Sequence, residues 1–384
     1  MIVLLFLGIL AAWLCWRLVY ARYWRVNLNV KTEFTDPWVY EGESSCLREE
    51  ITNDKILPVP ALEVRLAMSR NLEFSSDAQA NTSVTDQSYK RDIFSLLTRQ
   101  RIVRRLPFLC RRRGYYEITV AGIVGTDLLS GRAYLDEQPQ STSMYVYPAQ
   151  IDTRRIAPVC QAISGMVLTQ NRMYPDPFEF SGIRDYERTD PMKNINWKAS
   201  ASAGHLMVNQ HDSTTSAEVT IFLDVEDTAI LKYELLVEES IRIASSLCAR
   251  LAKAKMEAEI ISNGRDAETG EPLNYRLPAG AAQIQVLNQK LARLITGERD
   301  ITPMEEIFRR EKASAGSGRT CIMISKNRTP ELEKELSAAM REGIGVLWVL
   351  PVRPGADGEK NEIPAGLTVL RWEAGNGKAV GTNG

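Results

Sequence analysis

A chain of 384 residues, 44% hydrophobic and 25% charged, has globular composition and room for two or three domains, which excludes a disordered, collagenous or mucin-like polymer. Its 47 basic and 48 acidic residues leave a net charge of -1, so it is not built around a basic nucleic-acid surface. The six cysteines, at 15, 46, 110, 160, 248 and 321, form no C-x-x-C pair and are too sparse for a disulfide scaffold, which excludes a zinc ribbon and points to a reducing compartment. With only His205 and His211, catalysts that need several histidines are nearly excluded.

Ile2–Ala21 is apolar apart from Arg17. As a helix it spans about 30 Å, one hydrocarbon core. Trp13, Trp16, Tyr20, Tyr23 and Trp24 crowd its far end, as an aromatic belt does. No basic residue precedes the run and no A-x-A follows it, which favours an uncleaved anchor over a signal peptide. Arg17, Arg22, Arg25 and Lys31 all follow the run. The positive-inside rule then predicts a single-pass protein of the cell membrane, in contact with lipid through this helix, with its body in the cytoplasm. Residues 1–25 are the expected anchor.

Residues 26–150 read as a β-sandwich. Val26, Leu28 and Val30 alternate with polar neighbours, Leu62–Leu66 repeats the pattern, and Gly114–Val120 and Met144–Tyr147 are β-branched or aromatic; several short strands of this kind suggest two packed sheets. Residues 75–92 are polar and expected to loop out. Seven arginines between Arg99 and Arg113 have no acid among them. Basic strand edges that deter aggregation are the preferred reading, with anionic lipid second.

Residues 151–215, with four prolines, are expected to hold loops and short helices. From 216 to 372 the pattern is α/β. Val219–Leu223, Ala258–Ser262, Thr320–Ser325 and Ile344–Leu350 are buried-type strands. Helices are expected over 232–254, 281–295 and 330–341. Strands alternating with helices predict a parallel sheet with flanking helices. Residues 373–384, rich in Gly and Asn, are expected to fray. His205 and His211 read as structural, and Cys248 as an inert core thiol.

The most distinctive stretch runs from Gly182 to Ala201. It mixes Arg184, Tyr186, Asp190, Lys193 and Trp197 without helical or strand periodicity. Arg184 offers a fork that Asp190 could accept, and Trp197 is expected to anchor the segment by burying its ring. A latch between domains is the structural reading; a docking surface is the functional one. The stretch resembles the signature of the bacterial family called domain of unknown function 58, which runs G-x-R-x-Y-x-x-G-D-x-x-R-x-I-x-W-x-x-S-A. Gly182, Arg184, Tyr186, Asp190, Ile195, Trp197, Ser200 and Ala201 match in register; Thr189 and Lys193 replace a glycine and an arginine. Arg113-Gly114-Tyr115, Thr126–Leu129 and Val146-Tyr147-Pro148 add to the likeness.

The resemblance implies a von Willebrand factor A-like, Rossmann-type domain over 216–372 and no catalytic activity. It also implies partnership with a MoxR-type AAA+ ATPase, and the company of a transglutaminase-like membrane protein. In von Willebrand A domains a D-x-S-x-S loop holds a divalent cation above the sheet. Here the loop reads Asp224-Val225-Glu226-Asp227-Thr228, with Asp224 and Thr228 matching and Glu226 replacing a serine. Lys326 falls where a further aspartate is usual. A degenerate edge is therefore expected, with Mg²⁺ at Asp224, Glu226 and Thr228 as the alternative and a Glu226–Lys326 contact as a substitute for the ion. The sequence reads as a non-enzymatic membrane-anchored adaptor without a cofactor. A metal-dependent ligand-binding module is its rival.

Overall fold

The computed structural model describes residues 2–74, 87–127, 129, 131–173, 180–187, 192, 195–211, 219–227, 233–278, 282–297, 301–314, 319–355, 366–375 and 379–381. It is a mixed α/β chain in two compact units, Met1–Ala149 and Gln150–Gly384.

The first unit begins with α1 (Ile2–Tyr23), whose stretch Val3–Tyr23 is long and apolar enough to cross a membrane. Among the described residues nine strands follow: β1 (Leu28–Phe34), β2 (Trp38–Tyr40), β3 (Ser44–Asn53), β4 (Val59–Ser69), β5 (Leu72–Phe74), β6 (Gln87–Leu96), β7 (Gln100–Cys110), β8 (Gly114–Thr126) and β9 (Ala133–Tyr147). They form sheets ordered β1-β3-β7-β5 and β2-β9-β8-β4-β6. The alternation read in β1 sends Leu28, Val30, Thr32 and Phe34 inward. Leu28, Val30 and Phe34 join Leu47, Ile51, Leu62, Val64, Ile118 and Ile123 in one core shared by both sheets.

The free edge of β1 is strapped to the other sheet by side chains. Gln138 accepts from Val30 N at 2.7 Å and donates to Leu28 O at 2.8 Å. Gln140 does the same for Thr32 N and Val30 O, both at 2.8 Å, and Thr142 Oγ1 accepts from Phe34 N at 3.0 Å. Amide side chains thus stand in for a missing strand and leave that edge no template for aggregation.

Arg101, Arg104 and Arg105 of the arginine run lie on β7, with Arg99 before it and Arg111–Arg113 after it, and several of them face acids of other strands. Arg101 pairs with Glu50 at 2.6 Å, Arg104 with Asp92 at 2.6 Å, and Arg111 with Glu73. Linear spacing hid these partners because they come from β3, β5 and β6. The expected 75–92 loop is shortened by β6, which begins at Gln87; 75–86 lies outside the described residues.

The second unit opens with a departure from expectation. In place of short helices, α2 (Thr153–Met173) is a 21-residue helix with Pro158 inside it. Ile156, Val159, Ile163 and Val167 sit at three- and four-residue spacing and are buried in the core. That apolar stripe outweighs the one backbone donor Pro158 lacks. Next come β10 (Phe180–Asp185), α3 (Trp197–Ala203) and β11 (Met207–His211), with β10 and β11 antiparallel.

The α/β portion comprises β12 (Val219–Leu223), α4 (Glu234–Lys253), β13 (Ala258–Arg265), β14 (Pro272–Leu277), α5 (Ala282–Arg293), α6 (Met304–Ser314), β15 (Thr320–Ile324), α7 (Pro330–Arg341), β16 (Gly345–Val352), β17 (Thr368–Glu373) and β18 (Ala379–Gly381). The sheet order is β14-β13-β12-β15-β16-β17-β18. Its five inner strands are parallel and its two edges antiparallel. Ile221 and Leu223 pack with α2, α4 and α5 on one face. Phe222 packs with Met304, Phe308, Leu332 and Leu336 on the other. Helices therefore cover both faces, as a fully buried parallel strand requires. Strand β13 runs on through Asn263-Gly264 to Arg265, past its expected end at Ser262, and the tail expected to fray contributes β18.

Gly125 lies under the Trp24 ring: a Cβ there would sit 2.4 Å from Trp24 Cε3, whereas at Gly122 the nearest atom is 3.6 Å away. Gly125→Ala should cost about 1–3 kcal/mol through overpacking and lower the melting temperature, with Gly122→Ala close to wild type. Equal melting of the two variants would show that Trp24 is not seated there.

Candidate functional site

Strands β13 and β15 lie on opposite sides of β12, so chain connections leave β12 in two directions. Ligands in open α/β sheets gather at the carboxyl ends of strands at such a switch point. Here the point is built from Asp224 after β12, Ser262 and Asn263 of β13, and Ser325, Lys326 and Asn327 after β15.

Asp224 is 3% exposed, and both of its carboxylate oxygens are used. Oδ1 accepts from Asn263 Nδ2 at 2.8 Å and from Glu226 N at 3.0 Å. Oδ2 accepts from Ser325 Oγ at 2.6 Å and from Asn327 Nδ2 at 2.9 Å. The donors are themselves fixed. Asn263 Oδ1 accepts from Val225 N at 2.9 Å, Asn327 Nδ2 also donates to Glu226 O at 2.8 Å, and Trp348 Nε1 donates to Ser325 O at 3.1 Å. A buried carboxylate with four donors is fully compensated.

Lys326 Nζ meets Asp227 Oδ1 at 2.6 Å, with the two side chains 6% and 4% exposed. Asp227 Oδ2 accepts from Tyr233 N, just ahead of α4, at 2.6 Å. The expected Glu226–Lys326 contact is thereby corrected: the lysine's partner is Asp227. Glu226 stays half-buried, and burial, with Asp224 and Glu305 nearby, pushes its carboxyl above the usual range despite Lys326. Two adjacent acids facing one lysine were visible in the sequence, but which of them turns inward is decided by the approach to α4.

These residues do not fit a hard cation. Such an ion needs oxygen acceptors, whereas Asp224 is ringed by amide, hydroxyl and backbone donors and an ammonium group occupies the next position. Among the described residues no three His, Cys, Asp or Glu side chains gather as a metal cluster. Thr228 lies outside the described residues. Beside the edge is a cleft of about 620 Å³, lined in part by Tyr233, Lys326, Arg328, Arg353 and Arg371. There the Arg353 guanidinium stacks 3.5 Å over the Tyr233 ring, and Arg328 pairs with Glu333 at 2.7 Å.

The signature residues form a separate small module. Gly182 and Arg184 lie in β10, opposite Gln210 and Val208 of β11, so the aperiodic stretch begins as a strand. Arg184 Nη1 donates to Asp185 O at 3.0 Å. Tyr186 is half-buried, its backbone N bonded to Leu206 O at 2.9 Å. Asn196 caps α3 by accepting from Ala199 N at 2.9 Å, and Gly204 closes the helix with φ at 75°. Trp197 departs from expectation: it is 65% exposed. As the first residue of α3, a helix with no buried residues, it points away, and Ile195 is buried in its place beside Val208. Ile183, Met192 and Leu206 are also exposed. Asp190 and Lys193 lie outside the described residues, as do 188–191.

His205 Nε2 meets Asp185 Oδ1 at 2.9 Å, while its Nδ1 meets Ala203 O at 3.0 Å. Both ring nitrogens are engaged, leaving none to activate a nucleophile. Burial pushes the thiols of Cys110, Cys248 and Cys321 up to about 12, so they remain protonated and inert.

No protein-family model matches the chain, and no curated protein does. Among solved structures, the CARDB domain of the PF1109 protein from Pyrococcus furiosus is similar at 14% identity and a TM-score of 0.19, over 29% of this chain and 93% of that one. The sixth cohesin of scaffoldin B from Acetivibrio cellulolyticus matches at 12% identity and a TM-score of 0.23, over 31% and 99%. A non-cellulosomal cohesin from Archaeoglobus fulgidus matches at 16% identity and a TM-score of 0.20, over 30% and 91%. At these scores the likenesses carry no argument about function.

Lys326→Met takes the ammonium partner from the buried Asp227 charge and should cost about 3–5 kcal/mol in urea unfolding. Adding Asp227→Asn, which keeps the acceptor for Tyr233 N, should recover most of that loss. A coupling below about 0.5 kcal/mol between the two changes would show that the pair does not close the edge.

Proposed function

We propose that the chain is a non-enzymatic, single-pass membrane-anchored adaptor that presents its signature module to a protein partner. The observation that carries this reading is the exposure of Trp197. A large ring held outside on a capped helix, near exposed Ile183, Met192 and Leu206, has the composition of a binding hot spot rather than of a latch. The resemblance to domain-of-unknown-function-58 proteins makes that partner a MoxR-type AAA+ ATPase, with a transglutaminase-like membrane protein as its company. The order β14-β13-β12-β15-β16-β17, with helices on both faces, supports a von Willebrand A-like reading of the α/β portion. In this reading α1 is the anchor, and the arginines that follow it support a cytoplasmic body. The rival metal-dependent module loses its support at Asp224, whose oxygens are already taken.

The test is affinity capture of full-length protein from its native membranes, with and without ATP. Trp197→Ala and Arg184→Ala are run beside it, after thermal melting has shown both to be folded. Truncating the exposed Trp197 side chain should shift stability by no more than about 0.5 kcal/mol. An AAA+ ATPase recovered by wild type and lost from Trp197→Ala is the expected result. Equal recovery by both would remove the signature module from the interface, and recovery by neither would remove the partner.

A further inference from the structure

The last two turns of α1 do not stand clear of the first unit. Trp16, Tyr20 and Trp24, four residues apart and so on one face of the helix, lie along the β8–β9 hairpin. Trp16 Nε1 donates to Asp127 Oδ1 at 3.2 Å. Tyr20 is 1% and Trp24 3% exposed, and their rings lie 5.8 and 6.0 Å from that of Tyr134. Arg25 pairs with Asp136 at 3.4 Å. Trp24 and Tyr20 meet the shaft of the hairpin and Trp16 meets its tip, so the tip points back toward the N-terminal, apolar end of the helix.

This arrangement conflicts with a simple span. The apolar run continues past this first contact to Ala21, five residues beyond Trp16, and the stretch able to cross a membrane extends to Tyr23, so its end belongs at the hydrocarbon boundary. Asp127 then lies roughly 8 Å beneath the hydrocarbon boundary of a flat bilayer. The overlap is relieved where the bilayer thins around the helix, at modest cost, and the hairpin enters the headgroup layer.

The tip has the chemistry for that place. Leu129 at the turn is 66% exposed and Leu135 on the following strand 73%. Gly131, with φ at 63°, lets the turn close, Gly131 N bonding Asp127 O at 2.8 Å. Asp127 itself is buried, its Oδ1 accepting from Trp16 Nε1 and Leu129 N, so its charge is screened from lipid. Arg132 is exposed beside it, and Arg17 and Arg22 follow on α1, the charge that anionic headgroups attract.

We infer that the β8–β9 tip is a second membrane-binding element, placing Leu129 and Arg132 in the headgroup layer of the same leaflet from which α1 emerges. The inference rests on the anchor reading of α1 and adds to it. It predicts that the first unit is docked on the bilayer, not tethered at a distance.

The test uses full-length protein in vesicles of phosphatidylcholine and phosphatidylglycerol. Cys15, Cys46 and Cys160 are changed to Ser; burial keeps the other three thiols protonated. An environment-sensitive fluorophore is placed at Leu5→Cys, at Leu129→Cys, or at Val103→Cys as an exposed control on β7. Quenching by lipids spin-labelled at the headgroup or in the acyl chain reports depth. The expected result is acyl-chain quenching at 5, headgroup quenching at 129 and neither at 103. A quenched label at 5 with an unquenched one at 129 overturns the docked hairpin and leaves the anchor intact. No quenching at 5 removes the anchor, and the inference falls with it.

Discussion

A carboxylate taken out of water must find its partners within the protein, and Asp224 finds four. Because those donors come from β13, the loop after β12 and the loop after β15, one buried charge ties together the strand ends on both sides of the switch point. Removing it would strand donors on three segments, each costing about 1–3 kcal/mol if left unsatisfied. The Lys326–Asp227 pair extends the closure toward α4. The edge that open α/β sheets offer to ligands is here spent on holding the sheet together, which moves the search for function to surfaces elsewhere.

Those surfaces share a physical mark: large apolar side chains left in water by elements that are otherwise well capped. Trp197 is displayed by a helix with both ends closed, by Asn196 and Gly204. Leu129 is displayed by a turn closed by Asp127. A frayed segment could hide such groups by rearranging; a capped one cannot. The two displays lie in different units and suit different partners, a protein for the first and a lipid surface for the second.

Much of the second unit was legible because its signals are local. Val219–Leu223 reads as a buried strand from a run of four apolar residues around Thr220, and the helices at 234–253 and 330–341 from their apolar stripes. What escaped is set by distant partners. The helix α2 was hidden by Pro158 within it and by the prolines that follow it, though its stripe of Ile156, Val159, Ile163 and Val167 was present. The edge strands β14 and β18 carry little apolar signal, since an edge strand is defined by the backbone it pairs with. The Gln138–Gln140 strap cannot be read at all from spacing, its partners lying more than a hundred residues away. At the sites, the loop at Asp224 was found by resemblance, but the roles of Asp227, Asn263 and Asn327 follow only from geometry. Trp197 was found and misassigned, because a large ring is more often buried than displayed.

The central claim is that the Asp224 edge is closed by the protein's own donors and takes no cation. Its most direct test is a manganese titration of the purified full-length protein, read by the paramagnetic resonance signal of free Mn²⁺. The account predicts the full free-ion signal at every addition. Loss of one equivalent of signal in the wild type, restored by Asp224→Ala in a folded variant, would contradict it and return the edge to metal-dependent binding.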